Sequence, residues 1–417
     1  MPRHQVAILS LHYPPDVTGI APYAGALAAG LSAREFRVTA YVAHPFYPEW
    51  KIRPGYGQWK STERIDGVTV HRLRHYVPNP PRGVRRLLSE LSLGLRFFCS
   101  RLSSDSVVIA VSPALFATAL SVIRIRLCPS RPRLVIWVQD IYTLGMLETK
   151  EGSGFSKIIA KLVEGFVLRA ADRVVAIHPT FADYLVQNMG VKPERVNVIR
   201  NWTHLKPSPA VSRRDGRAAL GWPNDVYLVV HTGNMGVKQG LENVVEAARL
   251  ADEWQAAIKF ILVGDGGERT KLERLARGID RIEFIDPLND ADYRHALAAA
   301  DCLLVNELPG VSTMAVPSKL TSYFDAARPI LAATDPMGIA AREVQQAAAG
   351  IIVPAGDPRA LLEMAIQLSE NSEQATLFGS SGRRYRMEVL DSFKAVDAFE
   401  EMICEIVSEV EDLPTQP

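Results

Sequence analysis

Short runs of β-branched and aliphatic residues alternate along the chain with longer segments whose apolar positions repeat every three or four residues. The longer pattern is clear in residues 155–172, where the apolar side chains share one face of a predicted helix: Phe155, Ile158, Ile159, Leu162, Val163, Phe166 and Val167. Strands that alternate with such helices are typical of parallel sheets joined by crossover helices. The sequence therefore predicts an α/β fold.

The predicted strands form two series. The first is Val6–Ser10, Val38–Ala43, Val107–Val111, Leu134–Val138, Val174–Ile177 and Val196–Ile199, and the second is Tyr227–Thr232, Lys259–Val263, Ile282–Ile285, Cys302–Asn306, Ile330–Ala333 and Ile351–Val353. Residues 201–225, between them, are rich in proline and turn formers. We expect two doubly wound, Rossmann-like domains facing each other across a cleft, at 1–203 and 226–395, with a linker at 204–225 and a final helix at 396–417. Loops that follow strands are then the candidate sites.

Composition and charge narrow the class of protein. The 417 residues are 47% hydrophobic and 22% charged, as in an ordinary globular protein. Four cysteines stand far apart without a CxxC pair, which argues against zinc or a disulfide framework and suits a reducing cytoplasm. We expect neither a signal peptide nor a transmembrane span. The net charge of +1 conceals +12 in residues 1–203 and −11 in the remainder, so the basic half is expected to meet an anionic partner.

The first candidate site is the loop Pro14–Gly19, which follows the first strand and precedes a helix with Pro22 in its first turn. Helix N-termini offer free N–H groups to phosphate, and Gly19 would let a phosphate approach the backbone. An ordinary tight turn between strand and helix would look the same, because the loop has one glycine and no GxGxxG pattern.

The segment "HTGNMGVKQGLENVVEAARL" combines Gly233, Gly236, Lys238 and Gly240 between a strand and a helix. Compact glycines with one lysine suit a diphosphate, whose charge must be matched when water is excluded. The alternative is a glycine-rich turn with a solvated lysine.

A third candidate site is the loop Gly310–Thr313, which precedes a helix near Pro317. The backbone amides from Ser312 to Ala315 and the hydroxyls of Ser312 and Thr313 would suit the same diphosphate. Ser318 and Lys319 add a hydroxyl and a cation in the first helical turn, where a lysine is unfavourable unless an anion is close. The alternative is again a solvated Lys319.

Two features of the first half concern an acceptor and a membrane. Asp140 follows the strand in "LVIWVQDIYTLG" and would orient or deprotonate an acceptor hydroxyl, unless it is a helix cap or a loop anchor. Residues 82–102 predict a basic amphipathic helix that suits an anionic membrane surface, although a helix packed on the core with a solvated basic face fits equally. No pattern typical of nucleic-acid binding is present.

Taken in order, "HYPPDVTGIAPYAGALAAGL", "FYPEWK", "WVQDIY", "RNWTH", "GNMGVKQGLE", "ILVGDG" and "VPSKLTSYFDAARPILA" resemble the retaining glycosyltransferases of family 4, which have the GT-B fold. The resemblance covers nearly the whole chain and is greatest to the bacterial exopolysaccharide branch related to colanic-acid and fucosaminyl transferases. It implies a nucleotide sugar, usually linked to UDP, on the C-terminal domain. It also implies a final helix that crosses back to an acceptor-binding N-terminal domain.

The resemblance also assigns roles to residues. Gly19 would meet the diphosphate, Asn234 and Lys238 lie in the diphosphate-binding loop, and the segment from Ile285 to Leu288 would contact the base. Three positions depart from the commoner pattern: the two glutamates of the family fall at Met314 and Ser322, an arginine is replaced by Asn234, and the frequent N-terminal histidine appears as Gln139 or Asp140. Lys319 would compensate for the missing carboxylates.

The resemblance therefore implies transfer of a sugar from a UDP-sugar to a polyprenyl-diphosphate-linked glycan at the inner face of the cell membrane. The configuration would be retained, with no metal, cofactor or protein nucleophile. The expected donor-binding residues are Gly19, Gly233, Asn234, Lys238, Ile285, Leu288, Ser312, Thr313, Met314, Ser318, Lys319 and Ser322, and the catalytic ones are Asp140, Lys238 and Lys319. A nucleotide-sugar epimerase or a non-catalytic nucleotide-sugar sensor would share the architecture.

Overall fold

The computed structural model describes residues 4–16, 19–47, 49–80, 83–100, 102, 106–112, 114–128, 130–148, 154–203, 211–310 and 318–411. The chain divides into two compact units, residues 1–201 with 392–417 and residues 202–391. Each unit contains a mainly parallel sheet with flanking helices, which confirms the predicted α/β class with two Rossmann-like domains. Among the described residues, no helix is long and apolar enough to cross a membrane.

The sheet of unit 1 has eight strands in the order β3-β4-β2-β1-β5-β6-β7-β8, all parallel except β3, which pairs antiparallel with β4. Its strands are β1 (Gln5–Ser10), β2 (Arg37–Ala43), β3 (Lys60–Ile65), β4 (Val68–Leu73), β5 (Ser106–Ser112), β6 (Arg133–Val138), β7 (Arg173–Ala176) and β8 (Val196–Val198). The central strands are buried along nearly their whole length, as expected for a sheet covered on both faces. The β3–β4 hairpin is an addition to the predicted strands.

The helices of this unit connect successive strands: α1 (Ala21–Ala33), α2 (Val84–Phe98), α3 (Leu115–Arg126), α4 (Tyr142–Glu148), α5 (Gly154–Arg169) and α6 (Pro179–Met189). Local sequence sets their ends. In α6, for example, the His178 ring accepts the Thr180 N–H at 3.0 Å, Pro179 occupies the first turn, and Gly190 ends the helix in the left-handed conformation.

Unit 2 has six parallel strands in the order β11-β10-β9-β12-β13-β14. They are β9 (Tyr227–Thr232), β10 (Ile258–Val263), β11 (Ile282–Ile285), β12 (Cys302–Asn306), β13 (Ile330–Ala333) and β14 (Gly350–Val353). Its helices are α7 (Arg213–Leu220), α8 (Glu242–Glu253), α9 (Arg269–Leu275), α10 (Asp290–Ala299), α11 (Lys319–Asp325), α12 (Ile339–Gln346), α13 (Pro358–Glu370) and α14 (Ser372–Val389). The chain order reverses at β9, so the switch point lies between β9 and β12.

The predicted linker, 204–225, is only partly a connection, because α7 lies within it. The Ser212 hydroxyl accepts the Asp215 N–H at 3.1 Å at its start, and Gly221 ends it in the left-handed conformation. A Cβ on Gly216 would lie 2.7 Å from the carbonyl oxygen of His295, so α7 packs tightly on α10. The last helix, α15 (Ser392–Glu411), packs on α1 of unit 1, with Phe399 5.0 Å from the Trp137 ring.

A buried carboxyl connects α2 to α3. Glu90 is 4% exposed, and its Oε2 accepts the N–H of Phe116 in the first turn of α3 at 3.0 Å. Burial raises the pKa of Glu90 to about 7, while this hydrogen bond and Arg86 oppose the shift. Because the pKa is higher in the folded state than in the unfolded chain, stability from this group is complete below pH ~4.5 and is lost as the pH rises to about 7.

We therefore expect Glu90→Gln to raise the free energy of unfolding by about 1–3 kcal/mol at pH 8 and to have little effect at pH 5. Glutamine keeps the acceptor for the Phe116 N–H but carries no charge to bury. Urea titrations at the two pH values measure the effect, with the exposed Glu246→Gln as the control. An equal change at both pH values would contradict this account.

Candidate functional site

The candidate site in unit 2 lies at the carboxyl ends of β9 and β12, on either side of the switch point. His231 and Thr232 end β9, Asn306 and Glu307 lie at the end of β12, and Lys319 begins α11. The Asn306 side chain fixes the glycine-rich loop after β9, because its Nδ2 donates to the carbonyl oxygens of Gln239 at 2.7 Å and Gly240 at 2.9 Å. Doubly wound sheets bind their ligands at this place.

Lys319 and His231 form the centre of this site, although 88 residues separate them. The Lys319 Nζ lies 3.2 Å from the His231 Nε2, and the His231 Nδ1 lies 3.3 Å from the carbonyl oxygen of Leu304. Burial, and then the charge of Lys319, hold the pKa of His231 well below its usual value. The imidazole is therefore neutral, and a proton on Nδ1 leaves Nε2 to accept from the ammonium.

Burial lowers the pKa of Lys319 to about 7, and the negative charge of Glu307 opposes the shift. The Thr334 hydroxyl donates to this Glu307 carboxylate. A lysine whose charged form is disfavoured by burial gains most from an incoming anion. Electrostatics thus favour an anionic ligand beside Lys319.

Two glycines form the backbone beside Lys319 at the ends of β9 and β10. A Cβ on Gly233 would lie 3.8 Å from the Lys319 Nζ, and Gly233 itself has a φ of +115°. Gly264 has a φ of +139°, and a Cβ there would lie 2.0 Å from the Gly233 carbonyl oxygen. Gly233 requires glycine because of its positive φ, and Gly264 because its backbone also touches that of Gly233.

The other residues predicted after β9 lie along the same loop. Asn234 and Lys238 are exposed, and the carbonyl oxygen of Lys238 accepts the Leu308 N–H at 2.8 Å. Gly240 has a φ of +53°, and a Cβ there would lie 2.9 Å from the Leu308 Cα. This backbone hydrogen bond connects the loop after β9 to the loop after β12. Lys238 itself remains an exposed residue.

Ile285 and Leu288 line a cavity of about 530 Å³ after β11, together with Trp222 and Arg269. Both predicted residues are half-buried and pack on the core of unit 2. Arg269 crosses between the two loops, because its Nη1 donates to the Gly264 carbonyl oxygen at 2.9 Å and lies 2.6 Å from an Asp286 oxygen. The segment thus offers an apolar wall next to a fixed guanidinium.

The predicted residues around α11 have different surroundings. Ser312, Thr313 and Met314 lie outside the described residues. Ser318 is exposed, and its carbonyl oxygen accepts the Thr321 hydroxyl at 2.8 Å. Ser322, which occupies one of the family's glutamate positions, is 1% exposed.

Unit 1 carries the residues predicted for the acceptor. Asp140 is exposed just after β6, while the neighbouring Gln139 is buried. The Gln139 amide is held by Asn201 through two hydrogen bonds of 2.8 and 3.2 Å. Gly19 is exposed with a φ of +63°, and among the described residues no atom beyond its chain neighbours lies within 4 Å of where its Cβ would be. The contact of Gly19 with a diphosphate stays a prediction.

Sequence reasoning missed His231 and Glu307, and it also missed a histidine cluster in unit 1. His12, His44 and His75 follow β1, β2 and β4, and the rings of His12 and His75 lie 5.3 and 5.2 Å from the Phe46 ring. Burial and the two neighbouring histidines lower the pKa of His75 to about 3. The sequence signals were two fragments quoted above: "HYPPDVTGIAPYAGALAAGL", which begins at His12, and "FYPEWK", which begins at Phe46.

Comparison of the sequence with known proteins identifies the family of the chain. Residues 18–202 match the glycosyl transferase 4-like domain, and residues 227–371 match the glycosyl transferases group 1 domain. The chain is 32% identical over 333 residues to the putative colanic acid biosynthesis glycosyl transferase WcaI of Escherichia coli, with 76% of this chain and 80% of that protein covered.

Solved structures share the fold. Sucrose-phosphate synthase of Thermosynechococcus elongatus matches with a TM-score of 0.74 and 17% identity, covering 98% of this chain and all of that one. Anabaena Alr3699/HepE in complex with UDP-glucose matches with a TM-score of 0.68 and 17% identity, over 96% of this chain and 100% of that one. These likenesses, together with the two matched domains, confirm the predicted resemblance: the chain belongs to the GT-B glycosyltransferases, with a glycosyl transferase 4-like domain followed by a group 1 domain.

Proposed function

We propose that this glycosyltransferase moves a sugar from a UDP-sugar to a hydroxyl of a polyprenyl-diphosphate-linked glycan in bacterial surface-polysaccharide synthesis, with retention of the anomeric configuration. The Lys319–His231 pair beside the bare Gly233 carries the proposal, because it offers a half-buried lysine to an anion at the switch point. The name of WcaI supports the exopolysaccharide role, and the UDP-glucose bound by HepE supports the donor.

The proposed reaction breaks the bond between the anomeric carbon and the diphosphate oxygen and forms a bond from that carbon to the acceptor oxygen. A phosphate oxygen of the departing UDP takes the proton of the acceptor hydroxyl, so no protein nucleophile is needed. Lys319 and Lys238 stabilise the negative charge that develops on the leaving group. Two further roles stay predictions: the main-chain N–H of Gly19 would also bind the diphosphate, and Asp140 would orient the acceptor.

The acceptor supplies a reason for contact with a membrane. A polyprenyl diphosphate keeps its hydrocarbon tail in the bilayer, so the enzyme must work at the anionic cytoplasmic face. The segment 82–102 is proposed to meet that face, because Val84, Leu88 and Leu95 of α2 are exposed beside the exposed Arg85 and Arg86. Leu93 and Phe97 of the same helix are buried.

The first test of the proposed function is a thermal-shift panel of nucleotides. We expect UDP and one UDP-sugar to raise the apparent stability, by about 2.7 kcal/mol at a ligand concentration 100 times Kd. GDP and ADP should have a smaller effect. Stabilisation by GDP alone would contradict the choice of UDP.

The second test adds a polyprenyl-diphosphate-linked glycan to the selected donor. We expect a new glycoside with the anomeric configuration of the donor, identified by nuclear magnetic resonance, and UDP release that depends on the acceptor. Conversion of the UDP-sugar without acceptor would indicate an epimerase or hydrolase. Binding without any transfer would indicate a sensor.

A further inference from the structure

Helix α5 exposes its apolar face to solvent, although its periodicity is that of a helix packed on a sheet. Phe155 is 74% exposed and Leu162 is 65% exposed. The large exposed side chains recur every three or four residues and so form one continuous row along the helix: Phe155, Ile158, Ile159, Leu162 and Phe166. A row of this size in water marks a contact surface, because soluble proteins rarely expose contiguous large apolar patches.

The opposite face of α5 is fixed inward by a carboxylate. Glu164 is 4% exposed and accepts the N–H of Tyr142 at 2.7 Å, the N–H of Thr143 at 3.1 Å and the Thr143 hydroxyl at 2.6 Å. Rotating α5 to bury its apolar row would break these three hydrogen bonds at the start of α4. The outward direction of the row is therefore set by the fold.

Helix α2 shows the same inversion independently. Its inward Glu90 accepts the Phe116 N–H, while Val84, Leu88 and Leu95 are exposed. Helix α3 packs against both α2 and α5, and Ile123 within it and Leu127 at its C-terminal end are also exposed. Helices α2 and α5 thus each direct a carboxyl group inward, and all three neighbouring helices direct large apolar side chains outward.

The charges on these helices identify the partner. Within α2, α3 and α5 the only carboxylates are the buried Glu90 and Glu164. The same helices carry eight cations: Arg85, Arg86, Arg96, Arg124, Arg126, Lys157, Lys161 and Arg169. A second copy docked on this face about a twofold axis would bring like charges together. Apolar rows with cations and without exposed acids fit an anionic lipid surface.

We infer that α2, α3 and α5 together form a membrane-docking face, and that the apolar row of α5 enters the interface of an anionic bilayer. The inferred face is larger than the segment 82–102, and α5 provides most of its apolar contact. The inference rests on the proposed function only for its purpose, since a lipid-linked acceptor lies in that bilayer.

Vesicle flotation tests the inference. The full chain should float with vesicles that contain phosphatidylglycerol and should remain unbound with pure phosphatidylcholine. The double variant Phe155→Ser/Leu162→Ser should lower the partition coefficient at least about tenfold. The matched control, Met337→Ser/Leu377→Ser, replaces side chains of unit 2 that are 70% and 60% exposed and should bind like the original chain.

Equal flotation of the double variant and the original chain would overturn the inference, provided that thermal melting shows both to be folded. A dimer of the original chain that becomes a monomer in the double variant, without vesicle binding by either, would assign the face to a second copy. Transfer to a water-soluble acceptor with a short prenyl tail, assayed without vesicles, should be unchanged in the double variant. Failure of that assay with the original chain would contradict the proposed function and leave the flotation result standing.

Discussion

Replacing Lys319 with alanine is expected to lower kcat/KM for sugar transfer by about a hundred- to a thousandfold, the effect of removing one group that stabilises charge on a leaving group. The ammonium lies beside the bare backbone of Gly233 and is held by His231. Lys319 is half-buried, and burial lowers its pKa to about 7, so an anionic ligand that restores its charge gains a strong interaction. Kinetics at saturating acceptor measure this effect.

The stability of the variants separates catalysis from folding. The pKa of Lys319 is lower in the folded protein than the ~10.5 of an unfolded lysine, so the unfolded chain binds more protons between about pH 7 and ~10.5. Stability from this group is therefore complete above that window and is lost as the pH falls through about 7. Lys319→Met should remove this dependence and be at least as stable as the original chain at pH 7, yet inactive.

Binding of UDP should take up a proton at Lys319. A diphosphate beside the ammonium raises its pKa, so affinity for UDP is expected to fall as the pH rises above about 7. Titration calorimetry in buffers of different ionisation enthalpy measures the uptake, and Lys319→Met should abolish it. The exposed Lys271→Ala serves as the control. Near-normal transfer by Lys319→Ala, or uptake that survives in Lys319→Met, would remove Lys319 from the mechanism.

The sequence predicts the strands well because parallel strands at the centre of a sheet are nearly continuous apolar runs. The strand β3 was missed for the opposite reason. Its sequence "KSTERI" alternates exposed and half-buried positions at the edge of the sheet, and its charged side chains look like those of a loop. The pattern of apolar residues therefore identifies most parallel strands, including the edge strands β8, β11 and β14, and misses the hairpin of β3 and β4.

The same pattern identified α5 but not the direction of its face. Periodicity places Phe155 and Leu162 on one side, and only the contacts of Glu164 with Tyr142 and Thr143 show that this side points to solvent. A buried glutamate is rare, so apolar residues are the usual guide to the core. In α5 the three hydrogen bonds that Glu164 accepts place the glutamate in the core and the apolar side chains in solvent.

The sequence could predict a site residue only where its position just after a strand was enough to place it. Gly233 and Lys319 each follow a strand, and doubly wound sheets gather such loops at one edge. His231 lies within the strand "YLVVHT", where it looks like a core residue. Its contact with Lys319 depends on the pairing of β9 with β12, and no local pattern reports it.

Because only the structure reveals the contact of His231 with Lys319, replacing His231 tests a part of the site that the sequence did not predict. We expect His231→Phe to lower kcat/KM about ten- to a hundredfold, the usual effect of removing a group that orients a catalytic residue. Phenylalanine keeps most of the buried volume but offers no acceptor to the Lys319 Nζ. His231→Gln, which offers an acceptor oxygen, should recover part of the loss.

If the role of His231 were purely structural, His231→Phe would lower the melting temperature but would leave the pH dependence of UDP affinity unchanged. As a positioning residue, His231 stabilises the charged form of Lys319 by accepting a hydrogen bond from it at 3.2 Å. Its loss should lower the pKa of Lys319 further, so the fall in UDP affinity with pH should begin at a lower pH in His231→Phe than in the original chain. An unmoved pH profile, with activity lost only in proportion to stability, would show that His231 merely fills the core and that Lys319 is held by other contacts.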